Sequence, residues 1–357
     1  MRPGHPNILI VKLSAIGDVV HTLPALNALR RHYPGAMIAW VVEEAAAPLV
    51  LGHAAVDRVL VSRRKTWLRG LSGGNRREMF RAARAFVRDL RDTRYDLVLD
   101  FQASLKGALL IALARAKRKI GFGPGMAHQE HSYWVLNERI PMVSMEMHAL
   151  DRGLALLGAI GVPCNHLEYH LPIDAETRRR AAALINAVPA AESKKCIAMN
   201  PVAQWESKLW PMDRFARLAD HLVEDQGACI YFTGGRDDRA AIKGIIKAMH
   251  HPAENLAGRT SLVDLAALYQ KMDCLISTDT GPMHIAAAVG TPVVALFGPT
   301  AEWRTGPYGP GHRVVTSSCA CRPCFKRTCP TPGCMLDIGV EQVREQVGAL
   351  LRSENKP

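Results

Sequence analysis

The stretch "DTGPMHIAAAVGTPVVALFGPT", residues 279–300, decides how the chain is read. It holds a turn, a short alanine-rich helix and an apolar strand, and the strand-like run "DCLIST" (273–278) precedes it. "PVVALFG" (292–298) is apolar without alternation, as a strand covered on both faces should be. Strand, helix and strand in this order form the repeating unit of a parallel sheet. The helix starts near Pro282, a residue favoured at the first helical position, and Gly290 and Pro292 stop it after about two turns. Pro282 has no N–H, so the amides of Gly281, Met283 and His284 face the crevice and, with the helix dipole, make an anion site. Ordinary capping by Asp279 or Thr280 is the plainer reading of the same residues.

The alternation extends outward. Upstream lie the strand runs "CIAMN" (196–200) and "CIYFT" (229–233), with helical patterns at 211–226, 237–250, 261–271 and 282–289. The first half repeats the architecture without repeating the sequence. Its strands are expected at 7–13, 36–42, 58–62, 96–101 and 119–122, and its helices at 18–32, 75–92, 103–115 and 146–160. The fold class expected is α/β: two Rossmann-like, doubly wound parallel-sheet domains whose switch-point crevices face a central cleft. The first domain should span 1–172, a linker 173–194 and the second domain 195–338 with a Cys-rich segment at 319–334. A final helix in 339–357 is free to pack back on the first domain.

Composition agrees with two enzyme-like domains: 357 residues, 48% hydrophobic and 22% charged. No apolar run approaches the ~20 residues that span a bilayer, and the N-terminus lacks a signal-peptide pattern, so a cytoplasmic protein is expected. The net charge of +12 calls for an anionic partner. Nucleic acid would want aromatic residues interleaved with the basic ones, but aromatics make up only 6%, and no nucleic-acid partner is expected. Much of the excess lies in 58–94, in "RRKTWLRG" and "RREMFRAARAFVRDLRDTR". Such a run is usually a solvated helix face. Arg63, Arg64 and Lys65 are expected on a loop after a strand.

Two more strand-to-helix turns of the second domain carry polar candidates. "NPVAQWESKLWP" (200–211) places Lys208 where it can neutralise a diphosphate in the same crevice, or simply stay solvated. "TGGRDD" (233–238) offers Asp237 or Asp238 to ribose hydroxyls, or as acids at a helix N-terminus. In the first domain "ILIVKLSAIGDVVHTLPAL" runs strand, turn, helix, without the ending of a P-loop or the glycines of a dinucleotide fingerprint. Asp18 sits at its helix start. It can stabilise that helix, or stand exposed as a proton acceptor.

In order along the chain, "VKLSAIGDVVHTLPAL", "WVVEE", "AAVDRVLVSRRKTW", "DFQASLKGALL", "KIGF", "HALDR", "KLWP" and "STDTGPMHIAAAVGTPVVALFGPT" resemble glycosyltransferase family 9, the heptosyltransferases. The N-terminal half is most similar to heptosyltransferase I, which adds the first heptose to the Kdo sugars of lipopolysaccharide. The resemblance implies a GT-B fold and an inverting, metal-independent transfer of L-glycero-D-manno-heptose from ADP-heptose to the Kdo region of the inner core (Kdo2-lipid A). A heptosyltransferase II-like enzyme with another donor or acceptor is the alternative. Carried onto this sequence, Asp18 would be the general base, and a single displacement needs only one. Lys208, Thr280, Gly281 and His284 would stabilise the departing ADP, Asp279 would hold the heptose, and Asp238 stands where the family usually has Glu. Arg63, Arg64 and Lys65 would face the Kdo carboxylates, a task suited to arginine's planar fork. Gln102 and Lys106 would line the acceptor side, next to Ala103 where the family commonly has Gly. His148 and Arg152 of "HALDR" fit the pattern with a structural role. An anionic glycolipid acceptor on the cytoplasmic face of the inner membrane would explain the +12, with the enzyme held peripherally at acidic lipid.

Nine cysteines divide unevenly. Cys164, Cys196, Cys229 and Cys274 read as small core residues. Cys319, Cys321, Cys324, Cys329 and Cys334 crowd into "CACRPCFKRTCPTPGC", spaced C-x-C-x2-C-x4-C-x4-C, an addition to the heptosyltransferase I pattern. Four thiolates could surround structural Zn2+ or carry an iron–sulfur cluster; packed free thiols and reversible disulfides are the alternatives. No cofactor is expected for catalysis, and catalysis is expected to be independent of this segment. A metal- or redox-sensing binding protein on the same fold is the distant alternative, opposed by the joint presence of Asp18, Lys208 and Asp279.

Overall fold

A computed structural model describes residues 5–72, 76–126, 131–187, 194–330 and 333–353. The chain divides into two compact units, 1–172 and 173–357. Parts of the sequence expectations fall outside the described residues: 1–4, 73–75 and 127–130 of the first domain (75 also beginning the helix expected at 75–92), 188–193 of the linker, 331–332 of the Cys-rich segment and 354–357 of the last helix.

The first unit comprises β1 (Asn7–Val11), α1 (Ile16–His32), β2 (Met37–Glu43), β3 (Arg58–Ser62), α2 (Arg64–Ser72), α3 (Arg76–Arg91), β4 (Arg94–Asp100), α4 (Leu105–Leu113), β5 (Arg115–Phe122), β6 (Glu138–Ile140) and α5 (Ala149–Gly158). Its sheet has the order β3-β2-β1-β4-β5-β6, parallel throughout. Ile8, Leu9, Ile10 and Val11 of the central strand are fully buried, the consequence of helices covering both faces. In α1, Val19, Leu23, Leu26 and Leu29 are buried as well. Arg64 and Lys65 correct one expectation. They begin helix α2 instead of lying on a loop, and only Arg63 precedes it. The helix forms because Trp67 packs inward against the sheet core, with its ring 5.4 Å from that of Phe86 on α3.

The second unit comprises α6 (Ala175–Asn186), β7 (Cys196–Asn200), α7 (Met212–Gln226), β8 (Cys229–Phe232), α8 (Arg239–Lys247), β9 (Glu254–Asn255), α9 (Leu262–Tyr269), β10 (Cys274–Thr278), α10 (Gly281–Ala288), β11 (Val293–Phe297), α11 (Glu302–Thr305), β12 (Arg313–Thr316), α12 (Gly333–Asp337) and α13 (Val340–Ser353). Its sheet order, β12-β11-β10-β7-β8-β9, is the first sheet's order again and is also wholly parallel. The segment expected as a linker contains α6, which packs on α9 and is pinned by Arg180 to Asp264 at 2.7 Å. The last helix corrects another expectation. Val343, Val347, Leu350 and Leu351 of α13 are buried in the second unit's own core, and Trp210 donates from Nε1 to the carbonyl of Ile338 just before it, at 2.9 Å.

In each sheet the chain direction of strand addition reverses at one place, between β1 and β4 and between β7 and β10. Side chains just past the carboxyl ends of those strands are where an open α/β sheet binds its ligand.

Candidate active-site groups at the two switch points

At the second switch point, Lys208 and Asp279 meet. Lys208 ends a short turn after β7, and its Nζ lies 2.6 Å from Asp279 Oδ2 and 3.2 Å from the Asp279 carbonyl. The pair is nearly enclosed, with side chains 14% and 7% exposed. The Trp205 ring lies 4.4 Å from the same Nζ and fixes the lysine's path. Thr300, past β11, donates from Oγ1 to Asp279 Oδ2 at 2.7 Å. An ammonium has three N–H donors, and Asp279 engages part of that set.

Thr280 occupies the N-cap position of α10 but makes no side-chain cap bond there. Its hydroxyl instead faces the Thr278 carbonyl, Asn200 Nδ2 and Ser277 Oγ, each at 3.3 Å. The first-turn amides of Gly281 and Met283 have no intrahelical carbonyl to reach, and they lie beside the Lys208–Asp279 pair in sequence and at the same strand end. His284 follows in that turn and is buried. Asp238 is placed differently. Its Oδ2 accepts the Gly235 N–H at 2.7 Å and closes its own turn, while Asp237 is exposed.

At the first switch point, Asp18 stands in the opening turn of α1. Its Oδ2 accepts the Ala15 N–H at 2.9 Å, and its Oδ1 faces Lys12 Nζ at 4.0 Å. The side chain is 43% exposed, so one carboxylate both ties the helix start and meets solvent. Lys12 is held by the Phe101 carbonyl at 2.9 Å. Gln102 lies with this group, but its Oε1 accepts from Leu13 N–H at 2.7 Å and Ser14 N–H at 3.1 Å, so it shapes the loop before Asp18. Lys106 donates to Ser14 Oγ and lies 3.4 Å from Glu43 Oε1. Arg64 reaches the same buried Glu43 oxygen at 3.6 Å, and Arg63 faces Glu44 at 3.6 Å. Lys65 is exposed. Asp100, ending β4, is 2% exposed and accepts the N–H groups of Gln102 and Ala103 at 3.0 and 2.9 Å. Burial pushes its carboxyl above the ordinary range, against the pull of those two N–H bonds. Arg152 donates to the carbonyls of Met145 and Met147, at 3.1 and 2.7 Å; the rings of His148 and His21 meet edge-on at 5.0 Å.

The cysteines are all free thiols, with Cys196, Cys274 and Cys334 buried. Cys319 Sγ and Cys321 Sγ are 3.5 Å apart. Among the described residues no group of three or more His, Cys, Asp or Glu side chains is gathered so as to hold a metal ion, so the expected zinc or iron–sulfur site finds no support in the geometry. The segment does make contacts that sequence reasoning missed. Ser207, next to Lys208, donates its N–H to the Arg327 carbonyl at 3.2 Å and its hydroxyl to the Lys326 carbonyl at 2.6 Å. Arg327 also lies over the Trp205 ring, 5.5 Å from its centroid. On the other side, Arg322 donates to the carbonyls of Gly298 at 2.7 Å and Thr300 at 3.3 Å, and to Glu302 at 2.6 Å. Cys324 and Phe325 both donate backbone N–H to the Pro299 carbonyl, at 3.0 and 2.9 Å. Gly298 is closely approached from α12: a Cβ there would stand 2.9 Å from Met335 Cγ and 3.0 Å from Cys334 Sγ. One segment therefore backs the turn bearing Lys208 and the turn bearing Thr300, the partner of Asp279.

Residues 83–335 match the family model described as glycosyltransferase family 9 (heptosyltransferase). The chain is 29% identical to lipopolysaccharide heptosyltransferase 1 of Pseudomonas aeruginosa, over 96% of this chain and 98% of that one. It is 26% identical to the lipopolysaccharide core heptosyltransferase OpsX of Haemophilus influenzae, over 87% and 84%. Among solved structures it resembles E. coli heptosyltransferase WaaC with ADP-2-deoxy-2-fluoro heptose, with a TM-score of 0.75, 25% identity and coverage of 96% and 99%. Two parallel six-stranded sheets with this likeness make the fold GT-B, and the chain belongs to glycosyltransferase family 9, the heptosyltransferases.

Proposed function

We propose that this glycosyltransferase moves L-glycero-D-manno-heptose from ADP-heptose to a Kdo sugar of the lipopolysaccharide inner core, with inversion at the anomeric carbon. The observation that carries the donor assignment is the Lys208–Asp279 pair at the start of α10, where a cation and helix amides share one strand end. In this reading Asp18 takes the proton of the acceptor hydroxyl as that oxygen bonds to the anomeric carbon. The bond from that carbon to the diphosphate breaks, and ADP leaves with its charge met by Lys208 and the amides of Gly281 and Met283. Asp279 would hold the heptose, and Thr280 and His284 would join these groups on the departing ADP. Asp238, bound into its own turn, is left with one carboxylate oxygen for a ribose hydroxyl.

Arg63, Arg64, Lys65 and Lys106 would receive the Kdo carboxylates, with Glu43 holding Arg64 and Lys106 in register. The kinship with heptosyltransferase 1 of Pseudomonas aeruginosa favours a first-heptose acceptor such as Kdo2-lipid A; an acceptor of the heptosyltransferase II type keeps the same chemistry. No cofactor enters the transfer. Among the described residues no helix is long and apolar enough to cross a membrane, and we place the enzyme peripherally on the cytoplasmic face of the inner membrane, where its acceptor lies.

The test is ADP release on incubation with ADP-heptose and Kdo2-lipid A. Turnover that vanishes in Asp18→Ala supports donor, acceptor and base together. Saturable ADP binding without turnover would retain the phosphate site and reject this acceptor or sugar.

A further inference from the structure

Helix α3 carries Arg77, Arg81, Arg84, Arg88 and Arg91 at alternating spacings of four and three. That spacing puts all five on one side of the helix, in a row about 21 Å long at 1.5 Å per residue. The opposite side carries Phe86 and Leu90, which are buried in the core of the first unit. All five arginines are exposed. Only Arg88 reaches an acid, its neighbour Asp89 at 3.3 Å, and among the described residues the other four have no acidic partner. A large apolar side chain stands beside this row, and another is exposed on the helix packed against α3. Phe80 on α3 is 66% exposed, and Leu68 on the adjoining α2 is 51% exposed, next to the exposed Lys65 and Arg69. A solvated face explains charge but not a phenylalanine and a leucine held out in water beside it. Basic side chains flanking protruding apolar ones suit the boundary of an anionic bilayer, where the charges meet headgroups and the apolar groups enter the acyl edge.

We infer that the α3 arginine row, with Phe80 and Leu68, is the surface by which the protein docks on an acidic lipid bilayer. The inference deepens the proposed peripheral placement and rests on it for the choice of partner. It leaves donor and acceptor chemistry to other residues, since none of the five arginines is among the groups at either switch point. Arginine near an acidic leaflet contributes roughly a fivefold factor in binding, so losing three should cost on the order of 100-fold.

The experiment is vesicle co-sedimentation of the full chain, using phosphatidylglycerol mixed equally with phosphatidylcholine against phosphatidylcholine alone. The expected result is binding to the mixed vesicles only, weakened by salt. Arg81→Gln/Arg84→Gln/Arg88→Gln should lose it on the order of 100-fold, with an unchanged melting temperature and an unchanged affinity for ADP. Phe80→Ser should weaken binding in a way that persists at high salt. Wild-type binding that survives in the triple variant would overturn the docking surface while keeping the peripheral placement. No wild-type binding to acidic vesicles would overturn both, whatever the outcome of the ADP-release assay. Tighter binding to polyuridylate than to vesicles, lost in the same triple variant, would reassign the row to nucleic acid and overturn the lipid inference.

Discussion

Lys208 and Asp279, 71 residues apart in the chain, form a 2.6 Å ion pair that is almost closed to solvent. The two partners were expected to serve separate parts of a nucleotide-sugar, and the pairing changes what each can do alone. Lys208→Ala should weaken ADP binding by 10- to 100-fold, the scale of a lost charged hydrogen bond of about 1.5–3 kcal/mol. It should also destabilise the second unit by about 3 kcal/mol, because Asp279 is left buried with Thr300 as its remaining side-chain partner. The double variant Lys208→Met/Asp279→Leu should recover much of that stability but not ADP binding. Melting temperatures that fall additively through the two single variants and the double would show that the pair is not coupled.

Asp18 has two tasks that a single substitution can separate. Its Oδ2 ties the Ala15 N–H, and its exposed carboxylate is the proposed proton acceptor. Asp18→Asn keeps an oxygen that can accept the Ala15 N–H but removes the basic group. It should retain the wild-type melting temperature and ADP affinity while losing transfer by at least 100-fold, the lower range for a general base. Loss of ADP binding in this variant would make Asp18 a structural residue.

Most of the fold was legible because its central strands are uninterrupted apolar runs between clear helix patterns. What escaped was short or polar. The "RVVT" of β12 is an edge strand paired only with β11, and the "EN" of β9 is a strand only because it pairs with Tyr231 and Phe232. Helix α2 reads as a charged loop because Trp67 is its main inward anchor. Asp18, Lys208 and Asp279 could be picked out singly, each at a strand-to-helix turn. Their partners could not. Thr300 meets Asp279 from 21 positions away, Arg322 meets Gly298 from 24, and Ser207 meets Lys326 from 119. No local spacing encodes such a contact.

Ala103 adopts φ +46°, in the left-handed region where a Cβ costs about 1–2 kcal/mol. The glycine that the family resemblance implies at this position would adopt the same backbone without that cost. Ala103→Gly should raise stability by about 0.5–1 kcal/mol once the extra freedom of glycine in the unfolded chain is set against the relief. Ala103→Val should lower it, because a β-branched residue tolerates this backbone worst. A lower melting temperature for Ala103→Gly would contradict the strain assigned here.

Asp100 gives a pH signature. Its folded carboxyl is pushed up by burial, so the folded state holds the proton more tightly than the unfolded one. The stability this contributes is fully present below the unfolded value of about 4 and is lost as pH rises through the folded value. Asn at this position does not titrate, and its oxygen can accept the same Gln102 and Ala103 N–H groups. The melting temperature of Asp100→Asn relative to wild type should therefore climb from pH 4 to pH 7. A constant difference across that range would show that the carboxyl does not titrate there.

The Cys-rich segment was expected to stand apart from catalysis, yet it braces both sides of the Lys208–Asp279 pair. Ser207→Ala removes the hydroxyl that donates to Lys326, a loss of about 1 kcal/mol, and should raise the donor KM several-fold with kcat little changed. Arg322 bridges Gly298, Thr300 and Glu302 with one planar fork. Arg322→Lys should therefore fail to restore what Arg322→Ala loses, since an ammonium cannot reproduce that geometry. Both Arg322 variants should weaken ADP binding by about tenfold, through displacement of Thr300 from Asp279. Calorimetric titration with ADP distinguishes the two roles. Unchanged affinity in Ser207→Ala and in both Arg322 variants would confine the segment to holding α12 against the sheet. A donor KM that rises in Ser207→Ala with kcat little changed would make it part of how Lys208 is aimed.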